Sequence, residues 1–300
     1  MVRFETNLET ITSQVTAFKD TWPSRAAERT AQFIAAGKFN DAAPIWSEIK
    51  AVFIRLQHQK CAYCERPLPG EEFGAGEYDL EHYRPKGRVQ VWPTPNDDLR
   101  YRFSTGEANA HGYYWLAYDL GNYAVACKSC NSGLKLDRFP VAVARGSAVA
   151  NVNALNESEQ PLLIFPIGAG DENPRDLIGF IGAVPYTKLK RGRRSRRARV
   201  TIDFFHLADP KREELFRDRF ELIRSLWGQI KIANDSNASS EEQQDAKLML
   251  EVLCSARSPH SSCAAAFVEL YTQSPIKAFD IAKEAAKYLS AGRDQRISWL

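Results

Sequence analysis

The spacing of apolar side chains predicts that both ends of the chain are helical. Near the N-terminus, apolar residues recur three or four positions apart, which is the spacing of one face of a helix. These residues are Ile45, Trp46, Ile49, Phe53 and Leu56. The same period continues over 209–232, 240–256 and 262–290. We therefore expect a helical N-terminal segment that leads into the middle of the chain, and a helical bundle at the C-terminal end.

The middle of the chain has a different pattern. Five prolines between residues 65 and 112 exclude a long helix there, so loops and short strands are expected. Residues 123–126 predict a short strand that leads to Cys127, and a helix should start near Cys130 and end before Pro140. Apolar runs at 162–165 and 177–181, set between glycines and prolines, predict further short strands.

The amino-acid composition limits the classes of protein to which the chain can belong. The 300 residues are 26% charged and 44% hydrophobic, as in ordinary globular domains. No stretch approaches the roughly 18 to 20 apolar residues of a membrane span, and the N-terminus has no apolar signal segment. We therefore expect a cytoplasmic protein without membrane contact. The net charge of +3 is too small to indicate a polyanion partner by itself.

Four of the six cysteines form two Cys-x-x-Cys pairs, Cys61/Cys64 and Cys127/Cys130. Two thiolates from one tight turn can bind the same Zn²⁺, and two such turns complete a tetrahedron. In a cytosolic chain this spacing predicts a structural zinc site with no open coordination position. Buried reduced cysteines and a redox pair are the alternatives. The 62 residues between Cys64 and Cys127 exceed the roughly 15 to 20 of a simple zinc ribbon, so we expect the chemistry in this insertion.

Polar residues that suit metal-dependent catalysis lie between and beside the two cysteine pairs. They are Glu81, His82, Asn122 and Asn131. Taken singly, a histidine is more often structural, and an asparagine at such positions is commonly a turn or cap residue. Their joint placement around two metal-binding turns favours a catalytic set.

This arrangement resembles the HNH, or ββα-metal, nucleases that carry two Cys-x-x-Cys turns. The resemblance implies hydrolysis of a phosphodiester with one Mg²⁺ or Mn²⁺ ion, held by Glu81 and Asn131, and with His82 as the general base. Asn122 would brace the hairpin and orient His82. The backbone would have to bend between Glu81 and His82, because side chains alternate along a strand. Asp79 is an alternative metal ligand.

Two positions depart from the commonest pattern of these nucleases. Glu81 stands where an aspartate is more usual, and Asn131 stands where the final histidine of the signature is more usual. The longer Glu81 side chain changes the geometry that the metal would meet.

Basic residues near these positions predict contacts with nucleic-acid phosphates. Beside the expected catalytic set they are Arg84, Lys86, Lys128 and Lys135. A denser run, 188–199, has eight basic residues in twelve and no acid, and predicts a nucleic-acid contact or an exposed arm that orders on binding. Its basic members are Lys188, Lys190, Arg191, Arg193, Arg194, Arg196, Arg197 and Arg199. A solvated surface or a protein interaction is the alternative.

Several phrases narrow the resemblance to the HNH subunits of Septu-type and retron-associated bacterial anti-phage systems. They are KCAYCE at 60–65, DLEHYRPK at 79–86, YYWLAYD at 113–119, CKSCNSGLKLDRFP at 127–140 and LLIFP at 162–166. The resemblance implies an effector nuclease, with DNA or tRNA as substrate, that acts beside an ATPase partner subunit. The alternative is a catalytically inactive, zinc-stabilised nucleic-acid-binding or scaffold subunit.

The predicted fold class is α+β. We expect a ββα-metal core with a four-cysteine zinc site, embedded between mainly helical N- and C-terminal segments. The expected boundaries are 1–58 for the helical N-terminal segment, 59–145 for the nuclease core, 146–205 for short strands and the basic arm, and 206–300 for the helical C-terminal segment.

Overall fold

Helices form the N-terminal part of the chain, as the apolar period predicts. A computed structural model describes residues 1–70, 74, 76–146 and 149–291. Helices α1 (Leu8–Phe18) and α2 (Trp22–Ala36) come first. A 3₁₀ turn, Trp46–Ile49, then runs into α3 (Lys50–Leu56). Four residues separate the end of α3 from Cys61, so the helix leads into the first cysteine pair.

A two-stranded antiparallel hairpin occupies the middle of the chain. Strand β1 (Tyr78–His82) pairs with β2 (Tyr123–Cys127), with Tyr78 opposite Cys127 and His82 opposite Tyr123. A π-helical segment, Ser129–Lys135, follows directly, so the expected helix near Cys130 is confirmed. The connection between the strands contains 3₁₀ turns at Tyr114–Leu116 and Leu120–Asn122.

The free edge of β2 is closed by a side chain from the N-terminal segment. Gln57 Nε2 donates to the carbonyl of Val125 at 2.8 Å, and its Oε1 accepts from the Val125 amide at 2.6 Å. This pair of bonds imitates a neighbouring strand and satisfies backbone groups that burial would otherwise leave unpaired. Phe53 packs edge-on against Tyr123, with ring centroids 5.7 Å apart. The hairpin is thereby fixed to α3.

The stretch predicted to hold short strands is more helical than expected. Strands β3 (Ile178–Ile181) and β4 (Val184–Thr187) form a second antiparallel hairpin. The remainder holds the helices α4 (Val152–Glu159), α5 (Pro174–Leu177) and α6 (Arg193–Phe204).

The predicted strand at 162–165 is absent, although Leu162, Leu163 and Ile164 are buried and Phe165 is half-buried. In this segment side-chain oxygens, in place of a neighbouring strand, accept hydrogen bonds from the backbone amides. The Ile164 amide donates to the Thr201 hydroxyl, and the Phe165 amide donates to the Asp171 carboxylate. A run of apolar residues in the sequence therefore predicts burial, but it does not distinguish a strand from an irregular segment.

The C-terminal part is a helical bundle, as predicted. Its helices are α7 (Glu213–Ala233), α8 (Ser240–Cys254), α9 (Ser261–Gln273) and α10 (Pro275–Ser290). Residues 292–300 of the predicted segment lie outside the described residues. One apolar core runs from the N-terminus through the β1–β2 hairpin to Leu215, and a second lies within the bundle. No helix in the described ranges combines the length and apolarity needed to cross a membrane.

Candidate active site and metal centre

The fold brings the four predicted zinc ligands together. The sulfurs of Cys61, Cys64, Cys127 and Cys130 all lie within 4.8 Å of one another, and all four residues are buried. A tetrahedral zinc site with Zn–S bonds of about 2.3 Å has sulfurs about 3.8 Å apart. The Cys64 and Cys127 sulfurs are 3.8 Å apart. The cluster can therefore hold a zinc ion, and four thiolates would leave it no open position.

A half-buried arginine offsets the negative charge of the cluster. Arg212 Nη1 lies 3.6 Å from the Cys130 sulfur and also donates to the Phe205 carbonyl. Burial disfavours its charged form, but the neighbouring thiolates outweigh burial and raise the pKa of Arg212. Four thiolates around Zn²⁺ carry a net charge of about −2, which a nearby guanidinium stabilises.

The first cysteine turn also positions an acid of β1. Tyr63, between Cys61 and Cys64, donates its hydroxyl hydrogen to Glu81 Oε2 at 2.7 Å. Lys135 of the π-helical segment places its ammonium 3.0 Å from Glu81 Oε1. Glu81 is buried, and its Oε1 accepts no well-directed hydrogen bond among the described residues. An anionic oxygen held in this way suits a hard divalent cation.

Asp79 is the acid that contacts the π-helical segment most. Asn131 Nδ2 donates to Asp79 Oδ2 at 2.9 Å, Ser132 donates to the same oxygen, and Lys128 donates to Oδ1 at 2.5 Å. Burial opposes ionisation, but these partners together lower the pKa of Asp79. Asp79 and Glu81 share one face of β1 because they are two residues apart. Asp79, predicted from the sequence only as an alternative ligand, accepts a hydrogen bond from Asn131, and no such bond joins Asn131 to Glu81 among the described residues.

His82 points away from the two acids. Strand β1 continues through His82, so the bend expected between Glu81 and His82 does not occur. The His82 Nε2 atom lies 3.0 Å from the Ala117 carbonyl oxygen. Because a carbonyl can only accept, Nε2 carries the hydrogen and Nδ1 keeps its lone pair. In this orientation the ring keeps Nδ1 as its unprotonated, basic nitrogen.

Burial keeps the His82 imidazole neutral. The residue is 8% exposed, and the rings of Trp46 and Tyr123 meet it nearly at right angles, with centroids 4.8 and 5.0 Å away. Burial is the main reason that the pKa of His82 lies well below its ordinary 6.5, and the charge of Lys86 lowers it further. The bond to Ala117 opposes this shift without reversing it. A neutral imidazole near pH 7 can accept a proton.

Asn122 holds the chain on both sides of the histidine. It is fully buried; its Oδ1 accepts from the Arg84 amide at 2.7 Å, and its Nδ2 donates to the carbonyls of Arg84 and Leu116. Leu116 directly precedes Ala117, whose carbonyl orients His82. These bonds fit the bracing role predicted for Asn122.

Four of these residues line one cavity of about 450 Å³. Asp79, Glu81, His82 and Asn131 contribute to its wall, together with residues that were not predicted from the sequence. Among the latter are Phe39, Trp46, Ser47, Lys50 and Arg88. The cavity is therefore lined by an imidazole, two carboxylates and an amide.

Three residues predicted to contact nucleic acid are buried instead. Arg84 bonds Glu159 and Asn156, and its side chain is 0% exposed. Lys135, also 0% exposed, approaches Glu81 and the His82 carbonyl. Neither side chain reaches the surface that a phosphate contact requires.

Arg197 is the third of these residues. Its side chain is 1% exposed, and it binds both carboxylate oxygens of Asp171 at 2.5 Å and the Leu163 carbonyl at 2.6 Å. The basic run as a whole does not form an extended arm, because it folds from Arg193 into α6. We assign Arg84, Lys135 and Arg197 to the scaffold.

The other predicted basic contacts remain at least partly accessible. Lys86 is half-buried in the cavity wall, and Lys128 is exposed beside Asp79. The exposed members of the basic run are Lys188, Lys190, Arg191, Arg194, Arg196 and Arg199, and Arg193 is half-buried. Arg194 pairs with Glu172, and Arg199 pairs with Asp203. These pairs weaken but do not remove the basic surface of α6.

The chain is similar to one curated relative from a bacterial system. It is 24% identical over 203 residues to the Septu protein PtuB of Bacillus mycoides (strain KBAB4). The alignment covers 67% of this chain and 59% of that protein, so the chain spans less than two thirds of the length of that relative. No protein-family model matches the chain, and no solved structure does.

Proposed function

We propose that this protein is a metal-dependent nuclease that hydrolyses phosphodiester bonds of nucleic acid. The observation that carries the proposal is the shared cavity: it is lined both by His82, an oriented and neutral imidazole, and by the oxygen-bearing side chains of Asp79, Glu81 and Asn131. General-base catalysis needs a basic nitrogen, and phosphoryl transfer needs a cation for developing negative charge.

In the proposed reaction, His82 Nδ1 takes a proton from water as that water attacks phosphorus. The bond from phosphorus to the leaving sugar oxygen breaks and that oxygen takes a proton from solvent, giving a phosphate monoester and a hydroxyl. Glu81 and Asn131, joined by Asp79, would hold a Mg²⁺ or Mn²⁺ ion, since these ions prefer oxygen ligands. When bound, this ion supplies charge neutralisation at the phosphate and the leaving oxygen.

The four-cysteine cluster would position the residues of the cavity and would not itself take part in the reaction. Tyr63 in the first turn contacts Glu81, and Asn131 directly follows Cys130 in the second. A structural zinc ion bound by both turns would fix the two sides of the cavity relative to each other.

The biological setting is the second part of the proposal. The similarity to a Septu protein supports a role in bacterial anti-phage defence. The Septu-type resemblance further implies an ATPase partner subunit, and this sequence contains no Gly-rich phosphate-binding motif that would supply ATP hydrolysis itself.

The test is cleavage by the purified protein. Plasmid DNA, single-stranded DNA and total tRNA are each incubated with Mg²⁺ or Mn²⁺, and with EDTA. We expect metal-dependent cutting that is lost in His82→Ala and kept in His111→Ala, a matched change at an exposed histidine. Equal cutting by wild type and His82→Ala would refute the assignment of the base.

One observation favours the alternative of an inactive zinc-stabilised nucleic-acid-binding or scaffold subunit. The ammoniums of Lys128 and Lys135 already pair with Asp79 and Glu81. If they block the cation, wild type and His82→Ala will both bind nucleic acid and neither will cut it. Direct measurement of Mn²⁺ binding to the zinc-loaded protein separates the two functions, because the inactive subunit would bind zinc alone.

A further inference from the structure

The cavity has an aromatic wall that the proposed hydrolysis does not use. Phe39 and Trp46 both line it, with ring centroids 6.0 Å apart and planes tilted by 40°. Both residues are half-buried. They belong to the N-terminal part of the chain, which lies outside the β1–β2 hairpin and the cysteine cluster. An element separate from the proposed catalytic groups therefore supplies this wall.

Packing alone accounts for part of each ring. Phe39 packs edge-on against Phe33 at 5.1 Å, and Trp46 packs against His82 and Tyr118. The remaining surface of both rings is accessible in the cavity. Among the described residues, the Trp46 indole nitrogen donates no hydrogen bond, so it stays available to a ligand.

A lysine ammonium completes this part of the cavity. Lys86 Nζ lies 4.6 Å from the Trp46 ring centroid and 5.4 Å from that of Phe39. Lys86 makes no ion pair with any acid in the described ranges, in contrast to Lys128 and Lys135. Two rings thus contact an ammonium that is not held in a direct ion pair by a carboxylate of the described residues.

We propose that Phe39, Trp46 and Lys86 form a subsite for one unpaired nucleotide beside the reacting phosphate. The base stacks on the aromatic wall, and the adjoining phosphate meets the Lys86 ammonium. Every base has a π-face, so such stacking tolerates any sequence. The inference rests on the proposed nuclease function, and it names the substrate class as nucleic acid with unpaired bases.

The size of the cavity is compatible with a single nucleotide. A volume of about 450 Å³ is within the range of small-ligand sites and accommodates a nucleotide unit. In a duplex each base is already stacked and paired. A base must therefore be unstacked before it can reach the aromatic wall, which costs a few kcal/mol. A single strand or a loop presents its bases without that cost.

The test measures binding, so that it does not depend on cleavage. The His82→Ala protein with its zinc is mixed in EDTA-free, magnesium-free buffer with fluorescent 12-nucleotide strands. The probes are single-stranded DNA, single-stranded RNA, the DNA strand annealed to its complement, and a DNA strand of abasic sites. Phe39→Ala and Phe39→Leu are added to the His82→Ala background. Phe39 does not contact His82, and leucine keeps an apolar side chain in case the smaller alanine unfolds the protein.

We expect single strands to bind more tightly than the duplex. Loss of the Phe39 ring should weaken binding of the normal single strand by about 5- to 150-fold, the range for one base–aromatic stack, and should leave the abasic strand nearly unchanged. The tighter of the DNA and RNA strands then names the source of the nucleotide. Duplex binding as tight as single-strand binding would overturn the proposal. So would an equal loss of affinity for normal and abasic strands in Phe39→Leu. Failure of the nuclease function itself would appear separately, as absence of metal-dependent cutting by the wild-type protein while single strands are still bound.

Discussion

The buried ion pair between Arg84 and Glu159 allows the effect of a mutation on the free energy of unfolding to be predicted. Glu159 and Arg84 are both 0% exposed, with Arg84 Nε 3.3 Å from Glu159 Oε2. The other oxygen of Glu159 accepts from the Tyr113 hydroxyl at 2.9 Å and from the Gly146 amide at 2.8 Å. Removing the carboxylate in Glu159→Ala leaves a buried guanidinium without its counter-charge and two donors without an acceptor.

The magnitude follows from these contacts. Breaking one partner of a buried ion pair costs about 3–5 kcal/mol of unfolding free energy. The rings of Tyr83, Tyr113 and Phe139, each within 6 Å of the Arg84 guanidinium carbon, offset part of that cost. We therefore expect a loss of about 3 kcal/mol or more in Glu159→Ala.

Urea unfolding, followed by tryptophan fluorescence, measures this loss. Glu157→Ala is the matched control: it changes an exposed residue of the same type in the same helix, and should shift stability by less than about 0.5 kcal/mol. Equal midpoints for the two variants would refute the account of Arg84 as a buried scaffold residue, and would return it to the surface contacts expected from the sequence.

Two further predictions concern the metal cluster and the base. Cys127→Ser should lower both bound zinc and melting temperature, because a structural zinc ion contributes folding free energy. Cys254→Ser, outside the cluster, should change neither; unchanged zinc in Cys127→Ser would contradict the site. In the pH profile of cleavage, burial lowers the pKa of His82, so its basic form persists into acid and the acidic limb should lie below pH 6.5. A limb above 6.5 would mean that another group limits the rate.

Local patterns were enough to predict the helical ends, the short strand before Cys127 and the cysteine quartet. Each depends on spacing within a few residues: the helix period in α7, or the two-residue gap of a Cys-x-x-Cys turn. The spacing of Asp79 and Glu81 also carried a signal, since residues two apart on a strand share a face. It indicates that both acids lie on one face of β1, but not which segment packs beside that face.

Other features depend on partners far away in the chain. Arg196 and Arg197 look alike in the sequence, but only Arg197 turns inward, where Asp171 meets it from 26 positions away. The partner that orients His82 is a backbone carbonyl, at Ala117, which has no side-chain signature. The aromatic wall could not be predicted for a similar reason. The spacing of Trp46 fits the apolar face of a helix, and nothing in that spacing indicates that the residue lines a cavity.

The most direct test of the central claim is chemical rescue of the missing base. Single-turnover cleavage is measured for wild type and His82→Ala, with and without added imidazole. Removal of a general base should slow cleavage by about 10²–10⁴-fold, and imidazole should restore part of the rate in His82→Ala alone. Cleavage by His82→Ala at the wild-type rate would contradict the role of His82 and the mechanism built on it.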